Sequence, residues 1–313
     1  MRPTKTLLAI VLLFFFMQGC KKFEGDTTVP CYLRIDSIAV EKQSANAPSP
    51  EAGWYTHDID AVQLIAHYEG SGKETNIGTF QLPCLTPVLY EGTVDYVRIV
   101  PVIKQNGIAQ TRIEYPYLKD TVVRNLTMRS LDTICLGTLD SDNDRYYMTV
   151  NYKGTDVISE LVFEPFEPLA TTIVFDTTID GVEWIDNDTE NARTGSGYLL
   201  ITTPDSSTGI TFPLTSECTV ADPSKLLYLE MDYRTDVYLR VGIYSRSLNG
   251  GSYSTQWAIM LYPRNDWGKI YINLGRLWAQ FNHYKDFRIV FSTLNPDGTG
   301  GQSFIDNLKV ITY

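Results

Sequence analysis

Histidine is scarce in this sequence: His57, His67 and His283 are the only three in 313 residues. They form neither an HxH pair nor an HExxH signature, which excludes the usual histidine-built metal centres. No Gly-x-Ser-x-Gly elbow and no phosphate-binding loop occurs, so the common nucleophile and nucleotide sites have no foothold. Acidic residues are plentiful, yet no spacing singles out a pair for glycoside hydrolysis. Basic residues are short, 26 against 37 acidic, for a formal charge of −11. That balance excludes nucleic acid as a partner, because phosphate binding needs a basic surface. None of the five cysteines stands in a CxxC pair, so zinc-ribbon and dithiol redox motifs are excluded. Helical periodicity is nearly absent. After Met17 no apolar run approaches the ~20 residues that a membrane-spanning helix needs. These absences together predict a protein that is not an enzyme.

What is present begins at the N-terminus. Arg2 and Lys5 precede the uncharged apolar run Leu7 to Met17, and Gly19 precedes Cys20. A positive start, a short apolar stretch and a small residue at the cut describe a signal peptide, and a Cys directly after that residue resembles a lipobox. Met17 and Gln18 depart from its usual Leu-then-small pair. The expectation is that residues 1–19 are removed and that Cys20 is the lipid-attachment residue. Residues 20–30, opening with Lys21 and Lys22, then form a polar tether. Each buried acyl CH₂ contributes about 0.8 kcal/mol, so several chains hold a protein on a bilayer. The predicted location is the outer membrane, lipid-anchored and exposed at the cell surface. Such a compartment permits disulfides. For Cys31, Cys84, Cys135 and Cys218, a Cys31–Cys84 bridge and buried free thiols both stay open.

The rest of the chain reads as strands. Runs such as Tyr32 to Val40, Asp95 to Ile103, Leu226 to Tyr233 and Val237 to Ile243 alternate or are continuously apolar. Turn residues separate them, among them Gly70-Ser71-Gly72, Asn106-Gly107 and Asn249-Gly250. Short strands with turn signals between them predict β-sandwiches. Only Leu274 to Phe281 suits a helical turn. The prolines of Phe163 to Pro168 make a stiff connector and poor strand. The predicted fold is therefore all-β, with an N-terminal Ig-like sandwich over 31–163 and a C-terminal jelly roll over 164–313.

Two resemblances sharpen this. Gly78 to Pro83, Gln105 to Arg112 and Tyr115-Pro116-Tyr117 resemble, in that order, a family of Bacteroidota surface lipoproteins of largely unknown function. By their own chemistry these segments are turn-rich structural loops, with Arg112 placed to pair with Glu114 or Asp120. The later half, with Phe175-Asp176, Gly181, Trp184, Gly195 to Ile201 and a last strand at Phe304 to Val310, resembles the galactose-binding-like jelly roll of many carbohydrate-binding modules. That likeness implies a structural calcium between an early loop and the last strand, and here the candidate ligands are Asp186, Asp188 and Asp306. The run Asp140 to Asp144 also offers alternate oxygens, but lacks the rest of an EF-hand and reads as a solvated turn.

Aromatic residues are the remaining lead. Trp267, in a loop-like setting, with Trp278 and Tyr262, are the candidate contacts to a glycan or a protein partner. Trp184 and Trp257 are expected to fill the core, as large aromatics commonly do. The leading functional expectation is an interaction subunit of an outer-membrane β-barrel complex, in β-barrel assembly or secretion. The alternative is a glycan-binding surface lipoprotein.

Overall fold

A computed structural model gives the structure of residues 29–41, 52–154, 157–168, 176, 178–205, 209–220, 222, 225–246, 251–280 and 286–313. Cys20 with its leader, Phe175 and the Asn249-Gly250 turn lie outside these residues. The chain is all-β, as its patterning predicts.

The first half supplies β1 (Cys31–Ile35), β2 (Ser37–Glu41), β3 (Ala61–Tyr68), β4 (Glu74–Gln81), β5 (Cys84–Val88) and β6 (Gly92–Lys104). After them come β7 (Arg112–Glu114), β8 (Thr121–Met128), β9 (Thr133–Cys135), β10 (Thr138–Asp140) and β11 (Arg145–Asn151). They form three sheets, β5-β1-β9, β10-β11-β2 and β4-β3-β6-β7, with β8 also paired to β6. Leu33, Ile35, Leu64, Val97, Ile99 and Val150 meet in one core. The four cysteines after residue 30 are free. Cys31 lies opposite Val88 and Cys84 opposite Ile35, so the two thiols sit at opposite ends of one strand pair, and the Cys31–Cys84 bridge does not form. Arg112 reaches Asp60 at 2.9 Å, which corrects its expected pairing, because Asp120 is held instead by Arg98 at 2.9 Å.

The second half supplies β12 (Ser159–Glu164), β13 (Val182–Ile185), β14 (Tyr198–Thr203), β15 (Thr211–Pro213), β16 (Cys218–Thr219) and β17 (Leu227–Thr235). It continues with β18 (Tyr238–Arg246), β19 (Tyr253–Leu261), β20 (Arg264–Asn273), the helical turn α1 (Gly275–Gln280), β21 (Asp286–Leu294) and β22 (Gly301–Thr312). One sheet runs β13-β14-β22-β17-β20, with β12 on β22. The other runs β15-β21-β18-β19, with β16 on β21. Leu229 and Met231 of the first sheet and Val241, Ile243, Phe287 and Phe291 of the second share a core, which makes this half a sandwich. The strand β12, just before the prolines, pairs with β22 and so joins this half by its hydrogen bonds.

Each sheet of that sandwich has a second face. On β17, Leu227, Leu229, Met231 and Tyr233 point into the core, and by strand alternation Tyr228, Glu230 and Asp232 point away from it. Yet these are buried too, because the first half covers them. Tyr115 Oη donates to Glu230 at 2.5 Å, Tyr152 Oη donates to Glu230 at 3.0 Å and Thr56 Oγ1 donates to Asp232 at 2.6 Å. Lys309 Nζ lies 3.1 Å from Glu230 and 3.7 Å above the Trp54 ring. Burial, then the Glu230 charge, pushes the Tyr115 and Tyr152 phenols well above their ordinary range, so both remain O–H donors. The fit leaves no slack at Gly53, where an added Cβ would lie 1.6 Å from Asn307 Oδ1.

Candidate ligand-binding face

With one outer face of the sandwich covered, the other, on β21-β18-β19, is the open one. Its composition follows from strand parity and one irregularity. Leu261 and Ile259 of β19 lie opposite Leu239 and Val241 of β18, on the core side. Strict alternation would put Trp257 there as well. A bulge falls between Val241 and Gly242 in the register, with Ala258 unpaired, and Trp257 lies opposite Gly242. An extra residue in one strand reverses the parity beyond it, so Trp257 turns outward. This corrects the expectation that Trp257 fills the core. Gly242 is needed at that crossing, because an added Cβ would lie 2.2 Å from the Gln256 carbonyl oxygen.

The outward row on β18 is Tyr238, Arg240, Gly242, Tyr244 and Arg246, against Met260, Trp257, Thr255 and Tyr253 of β19. Tyr244 and Tyr253 stack at 4.7 Å with planes 12° apart. At the other end Tyr238 and Tyr262 meet edge to face at 5.4 Å, and Tyr262 is 66% exposed. Trp257 lies between these pairs. Arginines lie against the rings: Arg240 is 5.2 Å from the Trp257 ring centre, and Arg246 and Arg288 are 5.7 and 5.9 Å from that of Tyr253. Beyond Tyr238 the row ends in a cavity of ≈ 450 Å³ lined by Tyr238, Met260, Leu294, Asn295 and Pro296. From Tyr238 to Arg246 the strand spans roughly 26 Å at 3.3 Å per residue. The arrangement is a long row of aromatic side chains interleaved with arginines, with an apolar pocket at one end. It can hold an extended ligand, and among the described residues it brings together no acid, base and nucleophile.

The aromatic residues singled out from sequence separate in the structure. Tyr262 stands at the end of this row. Trp278 is 1% exposed and packs 5.0 Å from Phe287, so as a core side chain it has no surface to offer a partner. Trp267 lies on the opposite sheet, where its indole N–H donates to the Asn191 carbonyl at 3.1 Å and Arg234 sits 5.7 Å from its ring. Trp184 packs at the core margin and donates to the Phe166 carbonyl at 2.8 Å. The sequence does not single out Tyr238 and Tyr244. Alternation along β18 marks Tyr238 and Tyr244 as one side of a strand, but not as the open side.

The expected calcium ligands do not converge. The Asp188 carboxylate accepts from Asn191 Nδ2 at 2.9 Å and Tyr198 Oη at 2.8 Å. That of Asp306 accepts from the backbone N–H groups of Arg193 at 3.0 Å and Thr194 at 3.1 Å and of Asn307 at 2.6 Å. Asp186 is exposed. Among the described residues no group of three or more His, Cys, Asp or Glu could hold a metal ion. Asp306 is wholly buried. Burial and the nearby Asp232 push its carboxyl up to about 8, against the pull of the three N–H donors.

No family model matches the chain, and no curated protein matches it in sequence. Among solved structures it is similar to carbohydrate-binding modules. One, of family 61 and in complex with β-1,4-galactotriose, is 13% identical with a TM-score of 0.29, over 49% of this chain and 85% of that one. A mutant of a family 29 module is 11% identical with a TM-score of 0.31, over 50% and 91%. A family 29 module complexed with cellulohexaose is 10% identical with a TM-score of 0.31, over 50% and 90%. Likeness at this level says nothing about the ligand of this chain.

Proposed function

We propose that the protein is a non-enzymatic glycan-binding lipoprotein, tethered to the outer membrane through Cys20, that takes a polysaccharide chain on the open face of β18 and β19. The observation that carries this reading is the row Tyr253/Tyr244, Trp257 and Tyr238/Tyr262, laid along one strand pair with no covering element among the described residues. A pyranose presents a face of C–H groups, and the negative π-face of an aromatic ring attracts them. A row of rings suits a chain of sugars more than a single one. The rival expectation, docking to a β-barrel complex, would also use exposed aromatic and arginine side chains, but a row of rings laid along one strand pair suits an extended sugar chain better.

The test is retardation of the purified mature chain in native gels cast with soluble polysaccharides. Trp257→Ala and Tyr244→Ala are each expected to weaken retention about tenfold, equivalent to ~1.4 kcal/mol, with circular dichroism unchanged. Both side chains sit outside the core cluster, so the fold should survive. Retention that is unaltered in both variants would sink the proposal. The tether is tested separately by fractionation, in which Cys20→Ala is expected to release the protein from membranes.

A further inference from the structure

The open face carries positive charge on a protein that is otherwise acidic. Arg240 and Arg246 project from it on β18, and Arg288 projects from β21 opposite Tyr244. Arg288 is paired with Glu217 at 2.7 Å. Among the described residues neither Arg240 nor Arg246 has a carboxylate within ion-pair distance. The Nε atoms of Arg240 and Arg288 are buried and make no hydrogen bond there. Asp286, the neighbouring acid on β21, is engaged by Thr219 Oγ1 at 2.7 Å. A chain of formal charge −11 thus keeps a cationic strip on the face that bears the ring row.

Spacing along the strand decides what such a strip can read. Arg246 and Arg240 are six residues apart, roughly 20 Å, with Arg288 at the level of Tyr244 between them. One acid group could satisfy only one of these positions. An acid group repeated along a chain could meet both Arg240 and Arg246, the two without a carboxylate partner among the described residues, while its sugars lie along the ring row between them. The guanidinium fork matches a carboxylate in a two-bond geometry.

Resting on the glycan reading above, we infer that the ligand is an acidic polysaccharide with carboxylate groups on successive sugar units, lying along β18. The rings supply stacking, and the arginines select the charged chain over its neutral counterpart.

The experiment measures binding of the purified mature chain to polygalacturonate and alginate, and to methyl-esterified polygalacturonate as the neutral control. It is run at 50 and 500 mM NaCl. At least one acidic chain is expected to bind tenfold or more tightly than the neutral ester, and to lose most of that margin at high salt. Arg240→Gln with Arg246→Gln is expected to erase the margin, so that the acidic chain and the ester bind alike and without salt dependence, with circular dichroism unchanged. If acidic and neutral chains bind equally and without salt dependence, the charge selection is wrong and the ring-face reading stands. If no acidic chain binds but a neutral one does, the same conclusion follows. If none binds, both readings fail. If inorganic polyphosphate competes as well as the acidic glycan, the strip reads charge alone and the inference is overturned.

Discussion

Asp306 and Lys309 lie three residues apart on β22, both with fully buried side chains, and they bias stability in opposite directions. The Asp306 carboxyl is raised from 3.8 to about 8, chiefly by burial. The native state therefore holds a proton that the unfolded chain releases near pH 4, and stability from this group falls as pH climbs from about 4 to 8. The Lys309 ammonium is lowered from 10.5 to about 7, chiefly by burial, with Glu230 opposing. Here the unfolded chain keeps a proton that the native state has dropped, so stability from this group rises as pH climbs from about 7 to 10. Asp306→Asn is expected to flatten the decline between pH 5 and 7.5. Lys309→Met is expected to flatten the rise between pH 8 and 10, and to destabilise the protein below pH 7, where Glu230 loses its nearest cation. Urea midpoints measured across pH check both slopes, and slopes unchanged from the parent protein would refute the assignment.

The existence of strands was legible in the sequence; which face of each strand is wet was not. The alternation of Leu227, Leu229 and Met231 with Tyr228, Glu230 and Asp232 describes a strand with one polar side, and nothing local says that Tyr115, Tyr152 and Thr56 will cover that side. The Asn106-Gly107 turn, with Gln105 before it, and Tyr115-Pro116-Tyr117 read as structural loops. Their role in the fold is to meet the second half: Gln105 donates to Tyr228 Oη at 2.9 Å, and Tyr117 donates to the Leu226 carbonyl at 2.7 Å. Trp257 was misplaced because a bulge leaves no mark in composition, and one unpaired residue, Ala258, reverses everything before it on β19. The glycine opposite carries the corresponding prediction. Gly242→Ala forces a Cβ to within 2.2 Å of the Gln256 carbonyl oxygen, and backbone must move. The expected loss is about 1–3 kcal/mol, with Trp257 displaced and retention by polysaccharide gels reduced. A variant that melts and binds like the parent would show that β19 does not approach β18 so closely.

At the scale of the whole chain, the two halves share buried surface of both kinds. The apolar cluster of the first half includes Tyr228, Tyr271 and Ile311 from the second. Glu230, Asp232, Lys269 and Lys309, all buried, find hydrogen-bonding partners in Trp54, Thr56, Tyr115 and Tyr152 of the first. Separation would expose the first group and strip the second of those donors and acceptors, and each loss is costly. A seal of this kind makes the halves one cooperative unit. It also places the ring-bearing face on the side of the sandwich turned away from the first half. The mature protein is therefore expected to melt in a single calorimetric transition. A fragment of residues 157–313 should melt at least ~10 °C lower, or fail to fold, since a few kcal/mol shifts a domain of this size by about that much. Two transitions in the intact protein, each coinciding with that of an isolated half, would show that the buried polar seal couples nothing.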